Sequence, residues 1–147
     1  MWLNITLFIL TFFFMEFVAW FTHKYIMHGF LWSWHASHHK LRKEIFEKND
    51  LFAVVFSIPA IILIILGSYF SITELMFIGF GITAYGIFYL IFHDIIVHRR
   101  IQIMFKAKSK YMKRIMNAHY THHNKHTKHG CEAFGFLYAP KKYTPQK

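Results

Sequence analysis

HKYIMHGFLWSWHASHH, residues 23–39, follows directly on an apolar run and carries five histidines in two clusters. His23 and His28 are separated by four residues, and His35, His38 and His39 form an HxxHH box. The same two spacings recur as His93-x4-His98 and His119-x2-His122-His123. Ten of the twelve histidines in the 147-residue chain lie in these four boxes. A lone histidine is more often a satisfied core or surface residue than a ligand. Four boxes in this order have no packing explanation, because apolar packing never calls for adjacent imidazoles. Imidazole suits Zn, Cu, Fe and Ni, and ten ligands exceed one coordination sphere. The expectation is a dimetal centre held by His23, His28, His35, His38, His39, His93, His98, His119, His122 and His123.

Helix geometry constrains how the boxes work. At about 100° per residue, positions three or four apart share a face. His35 then lines up with His38 and His39, and His119 with His122 and His123. Positions five apart diverge by roughly 140°, so His23 and His28 either serve different metals or bite at a loosened helix end.

The rest of the chain reads as a membrane scaffold. It is 55% hydrophobic and 20% aromatic, too apolar for an ordinary soluble domain. At this length it is read as one domain over 1–147. Residues 2–21 form a twenty-residue run with one charge, Glu16, long enough to span a bilayer. It has no basic leader and no small-residue cleavage site, so a cleaved signal peptide is not expected. Further runs lie at 51–70 and 75–92. Polar, histidine-rich regions fill 22–50 and 93–139, and a proline-marked tail, 140–147, reads as loose. The fold class is therefore all-α: three transmembrane helices, or four if part of 101–118 dips into the bilayer, plus a helical cap holding the dimetal centre. Asn49 and Asp50 suit the N-cap of the second span, and Pro59 is placed to kink it. Ser71-Ile-Thr-Glu74 has the form of a capping box. Gly79 and Gly86 sit seven apart, a spacing that allows close helix packing. Ser109–His123 reads as an interfacial amphipathic helix, with Met112, Ile115, Met116, His119 and His123 on one side. Phe134–Tyr138 is apolar enough to dock on the bundle.

Charge sets the orientation. All seventeen Lys and Arg lie in 22–50 or 93–147. Three spans put both regions on one side, which the positive-inside rule makes cytoplasmic. The net charge of +10 does not point to nucleic acid, because no soluble basic module is present. A single cysteine, Cys131, excludes an internal disulfide and fits a reducing compartment.

Two carboxylates stand near the boxes. Glu16 lies seven residues before His23, about 10 Å along the helix axis, and an ionisable group inside a span is a functional candidate. Asp94 lies four before His98 and is placed to orient it. A polar bundle pocket for Glu16 and an ordinary capping or surface role for Asp94 are equally open. Carboxylates are scarce, seven in all, and none forms the Glu-x-x-His pair of soluble di-iron bundles. Metals at the ends of apolar helices are reachable by a lipid-soluble substrate moving in the bilayer.

These boxes resemble those of the fatty acid hydroxylase/sterol desaturase superfamily of membrane di-iron oxygenases. More narrowly, Thr22-His-Lys-Tyr-Ile-Met-His-Gly29, Trp34-His-Ala-Ser-His-His39, Asn49-Asp-Leu-Phe-Ala-Val-Val-Phe56 and Phe134-Gly-Phe-Leu-Tyr-Ala-Pro140 are similar to segments of its bacterial β-carotene 3-hydroxylases. The resemblance covers residues 14 to 140 and matches all ten box histidines to the family's metal ligands. It implies hydroxylation at C3 of the β-ionone rings of β-carotene, giving β-cryptoxanthin and zeaxanthin. It implies two iron ions, replaceable by zinc in purified protein, with O2 as co-substrate and electrons from reduced ferredoxin. It implies an integral protein of the bacterial inner membrane that takes its carotenoid from the bilayer. His126 and His129 receive no role. Two alternatives stay open: a related oxygenase acting on fatty acids, sterols or keto-carotenoids, and a divalent-metal transporter or storage protein. The latter is disfavoured because transport sites sit near the bilayer midplane.

Overall fold

The computed structural model describes residues 1–40 and 46–145. The stretch 41–45 of the first polar region and the last two residues of the tail lie outside the described residues. Among the described residues every regular element is helical. Helix α1 (Trp2–Phe21) continues into a π-helical segment, Thr22–Phe30, and a short helix α2 (Trp32–His35) follows. Helix α3 is Leu51–Tyr69, and α4 (Thr73–Tyr89) continues into a second π-helical segment, Leu90–Val97. Helix α5 is Lys110–His123.

Three continuous helices are long and apolar enough to cross a membrane: Trp2–Phe30, Lys48–Tyr69 and Thr73–Val97. The first and third run past the bounds expected from the apolar runs, because the π-helical segments carry each helix on into its histidines. Outward faces carry Phe13, Phe14 and Phe17 on α1 and Val54, Ile58 and Ile65 on α3, all about half exposed or more. Water would penalise such faces, whereas hydrocarbon is their natural solvent. The protein is an all-α integral membrane protein.

Helix α4 is the centre of the bundle. A Cβ at Gly81 would meet the Phe8 carbonyl of α1 at 2.9 Å, and one at Gly79 would meet the Ala60 carbonyl of α3 at 2.9 Å. Gly67 lies equally close to the Ile72 carbonyl. Gly86 differs from the sequence expectation: nothing stands within 4 Å of its absent Cβ. The helices are tight near the α3–α4 turn and separate towards Gly86, leaving a cleft there.

The turn itself departs from the expected capping box. Ser71 adopts a left-handed φ of 57°, and Ile72 N–H donates back to the Gly67 carbonyl at 2.8 Å, a Schellman-type close. Helix α4 therefore begins at Thr73 with Ile72 as its N-cap and no side-chain cap. The turn needs Ser71 as the residue that reverses the chain, which removes it from capping. Asp50 stands at the N-cap of α3, as expected, but no side chain caps that helix. Asn49 and Asp50 sit in a 3-10 turn, Lys48–Asp50, closed by a box between Glu47 and Asp50. Helix α3 runs on through Pro59 without interruption.

The cap is built on the far ends of these helices. Phe92, Val97, Ile115, Ala118, Phe136, Ala139 and Tyr143 form a buried cluster joining the third span, α5 and the C-terminal segment. Ser109 caps α5 by accepting from Met112 N–H at 3.1 Å. Residues 101–108 form no helix, so no fourth dipping helix is present there. The near end of the tail is docked: Tyr143 is 6% exposed, and Asn117 Nδ2 donates to its carbonyl at 2.8 Å.

Candidate metal centre

The π-helical segments solve the five-residue spacing. A π-helix closes its hydrogen bonds from i to i+5, so one turn takes up the interval that an α-helix would twist apart. His98 N–H donates to the His93 carbonyl at 2.9 Å, an i+5 bond between the two box residues themselves. The His93 and His98 rings lie 4.5 Å apart, and those of His23 and His28 5.3 Å apart. Each pair therefore shares one group.

The ten box histidines converge into two groups of five. His23, His28, His35, His39 and His122 form one; His38, His93, His98, His119 and His123 form the other. In each group one nitrogen per residue lies within 4.8 Å of the rest. The adjacent pairs His38/His39 and His122/His123 are split between groups: His122 and His123 are neighbours on α5 and point about 100° apart, and His38 and His39 lie in the turn that follows α2. Thus His39 joins His35, and His123 joins His119, across four residues, while His38 and His122 cross over. The groups touch where His39 stacks on His123, with centroids 4.5 Å apart.

In the first group every Nδ1 meets an oxygen. His23 donates to the Phe134 carbonyl (3.1 Å), His28 to that of Lys128 (3.0 Å), His39 to that of Lys125 (2.7 Å) and His122 to that of Glu132 (2.9 Å). His35 donates to Asn49 Oδ1 at 2.7 Å. These oxygens can only accept, so each Nδ1 carries the hydrogen and each Nε2 presents a lone pair. Yet the Nε2 atoms of His23 and His35 face each other at 3.1 Å, and those of His28 and His122 at 3.2 Å. Converging lone pairs repel unless a cation sits among them. Burial holds the cap rings neutral: it pulls His35 down to about 2, His122 to about 3 and His39 to about 4. It also depresses His38, His119 and His123. This donor set fits a metal ion.

The second group shows the same close approach of Nε2 atoms. His38 and His93 approach Nε2 to Nε2 at 3.2 Å, and His98 and His119 at 2.8 Å. His93 Nδ1 meets Asp94 Oδ1 at 3.1 Å, and His38 Nδ1 lies 3.7 Å from Glu47 Oε2. Arg100 reaches Glu47 and Asp94 at 3.5 Å each and also pairs with Asp50.

The orienting candidates fall differently from the sequence reading. Asp94 meets the adjacent His93, where the i+4 spacing had paired it with His98. Glu16 accepts from Phe136 N–H (2.6 Å), Leu137 N–H (2.7 Å) and Tyr85 O–H (2.8 Å). It thereby fixes the segment whose Phe134 carbonyl holds His23, one link further from the metal position than expected. Asn49 and Glu47 were missed: Asn49 read as a helix cap, and nothing local distinguished Glu47. His126, given no role, bonds the His39 carbonyl.

Below the histidines lies a cavity of about 400 Å³. Its ceiling includes His23, His93 and His119, one from the first group and two from the second. Its inner wall is Met15, Phe52 and Tyr85, all buried. Its outer lining includes exposed residues of α3 (Ala53, Ile61) and of the third span (Gly86 of α4 and Leu90 of the π-helical segment), so the cleft at Gly86 opens it sideways to the lipid.

The fatty acid hydroxylase family matches residues 8–140. The chain belongs to that family. Within it, this hydroxylase is similar to a β-carotene hydroxylase of Pantoea ananas, 51% identical over 86% of this chain and 71% of the relative. It is 49% identical to one of Pseudescherichia vulneris, over 86% of this chain and 72% of that one. A chloroplastic β-carotene hydroxylase 2 of Capsicum annuum is 38% identical over 86% of this chain and 42% of its own length. No solved structure matches the hydroxylase.

Proposed function

We propose that this hydroxylase acts on β-carotene, placing a hydroxyl at C3 of each β-ionone ring and forming zeaxanthin through β-cryptoxanthin. The observation that carries the reading is an apolar cavity, open to the lipid, whose ceiling belongs to both five-histidine groups. A hydrocarbon ring that never leaves the bilayer can enter between α3 and α4 and meet both groups at once. The named activity of the bacterial relatives agrees with that substrate.

Each hydroxylation consumes O2, two electrons and two protons; one oxygen atom enters the C–H bond and the other leaves as water. Two iron ions, one in each histidine group, would supply the oxidising chemistry that an unactivated C–H bond demands. By affinity an all-nitrogen set favours copper or zinc over iron, so iron occupancy rests on supply and zinc can take its place in purified protein. The chain's own part is to hold and to exclude. The oxygens behind the imidazoles keep each ring aimed at its site. Phe134 packs against His23, His28 and His122 at centroid distances of 5.1–5.4 Å. Met15, Phe52 and Tyr85 keep the ring's side of the chamber dry. Exposed Lys110 and Lys113, beside Arg114, form a basic surface suited to an acidic ferredoxin-type donor. The positive-inside rule puts this cap on the cytoplasmic side of a bacterial inner membrane.

Expression in a β-carotene-producing host, with chromatography of the pigments, tests the reading. Accumulation of 3-hydroxylated and 3,3′-dihydroxylated carotenoids is expected. Unchanged β-carotene despite verified membrane expression and iron supply would reject it.

A further inference from the structure

We infer that the two metal sites are chemically unequal, and that Glu47 and Asp94, gathered by Arg100, make the His38/His93/His98/His119/His123 site the tighter-binding of the two. The inference rests on the reading that the ten histidines hold two ions.

The difference lies behind the rings. In the first group all five Nδ1 atoms donate to neutral oxygens: four backbone carbonyls and the Asn49 amide. In the second, Asp94 takes His93 Nδ1 at 3.1 Å and Glu47 stands 3.7 Å from His38 Nδ1. Asp94, hydrogen-bonded to His93, draws the Nδ1 hydrogen towards itself and makes the opposite nitrogen a stronger donor; Glu47, at 3.7 Å, acts through its charge. Each carboxylate places negative charge beside a buried dication, where a low dielectric leaves the attraction poorly screened. Both carboxylates are nearly buried, with side chains 10% and 13% exposed. Arg100 spans them, contacting each at 3.5 Å. Its guanidinium fixes the 3-10 turn before α3 to the end of the third span, so the two carboxylates stay behind their imidazoles. They are positioning residues; neither is a ligand. The one side-chain acceptor in the first group, Asn49, is an isosteric step from a carboxylate. The asymmetry can therefore be removed from one side or supplied on the other.

The test is stepwise metal binding, independent of turnover. Purified full-length protein in detergent is stripped by chelator and reloaded anaerobically with ⁵⁷Fe²⁺ from zero to two equivalents. Chelator competition gives the two dissociation constants, and Mössbauer spectra follow which site fills. Wild type should load in two resolved steps, with one quadrupole doublet ahead of the other. Asp94→Asn and Glu47→Gln should weaken the tighter step by about 10–100-fold and leave the weaker step in place. Asn49→Asp keeps the oxygen that faces His35 and should tighten the weaker step, narrowing the gap even if the other variants fold poorly. Equal affinities in wild type would overturn the inference, as would an unchanged gap in Asn49→Asp or a loss confined to the weaker step in Asp94→Asn. Fewer than two ions per wild-type chain would instead sink the two-metal reading beneath it.

Discussion

His38 and His39 differ in nothing but direction, yet they serve different groups, and the same holds for His122 and His123. Each HH doublet divides its two imidazoles between the groups. Alanine at any box position removes one of five nitrogens with few carboxylates nearby to replace it. His28→Ala, His39→Ala, His98→Ala and His123→Ala should abolish hydroxylation and lower bound metal, read by metal analysis and pigment yield at matched expression. His126 only supports the His39 carbonyl from an exposed position; its alanine variant should stay within about tenfold of wild type, the mild end of what outer contacts cost. Full loss at His126 would place it among the ligands. Acid acts on the same atoms. His35 and His122 are held far below their ordinary 6.5 by burial, so an unfolded chain binds protons that the folded cap refuses. Stability of the metal-free cap should fall as pH drops below about 6.5, by up to roughly 1.4 kcal/mol per pH unit for each such histidine. A thermal melting series from pH 7.5 to 5 checks the direction; stability rising on acidification would contradict it.

At the scale of elements, the π-helical segments and the glycines carry the argument. The x4 spacing looked awkward because it was measured against an α-helix; on a π turn it brings His93 and His98 together. Nothing in residues 90–97 alone forces that turn, because the i+5 bond gains from the packing of both rings into one group. Gly79 and Gly86 looked alike in sequence, and only the neighbouring helices separate them. Gly79→Leu should disrupt the bundle, since its Cβ would stand 2.7 Å from Ile64 and 2.9 Å from a backbone carbonyl. Overpacking of this kind costs about 1–3 kcal/mol or more, visible as a lower melting temperature in detergent. Glu16→Ala should release the 134–138 segment, leaving two backbone N–H groups and the Tyr85 hydroxyl without their acceptor. A loss of about 2–5 kcal/mol is expected from three such bonds, with metal content falling as His23 loses its carbonyl. Wild-type melting in Glu16→Ala would remove the clamp.

The whole molecule is a cavity with a lipid door and a histidine ceiling. Gly86→Phe should fill the door without touching a ligand. Conversion should drop by about tenfold or more, the scale of pocket misfit, with metal content unchanged. Equal loss of metal would mean that the variant misfolds rather than blocks. Orientation belongs to this scale too. A cysteine at Ser71 should react with membrane-impermeant reagent from outside the cell, and a tag after Lys147 should lie inside. Protection at Ser71 with an external C-terminus would invert the arrangement.

What the sequence determined by itself is local: three apolar stretches long enough to cross a bilayer, an all-helical class, and ten imidazoles in repeated boxes. Run length, hydropathy and residue identity need no partner to be read. What only the tertiary structure decided is non-local. The acceptors that fix the imidazoles lie up to 111 residues away, as Phe134 does for His23, and no spacing rule reaches that far. The division of ten histidines into two fives depends on which helix faces which, and so does the difference between a glycine that seals the bundle and one that opens it.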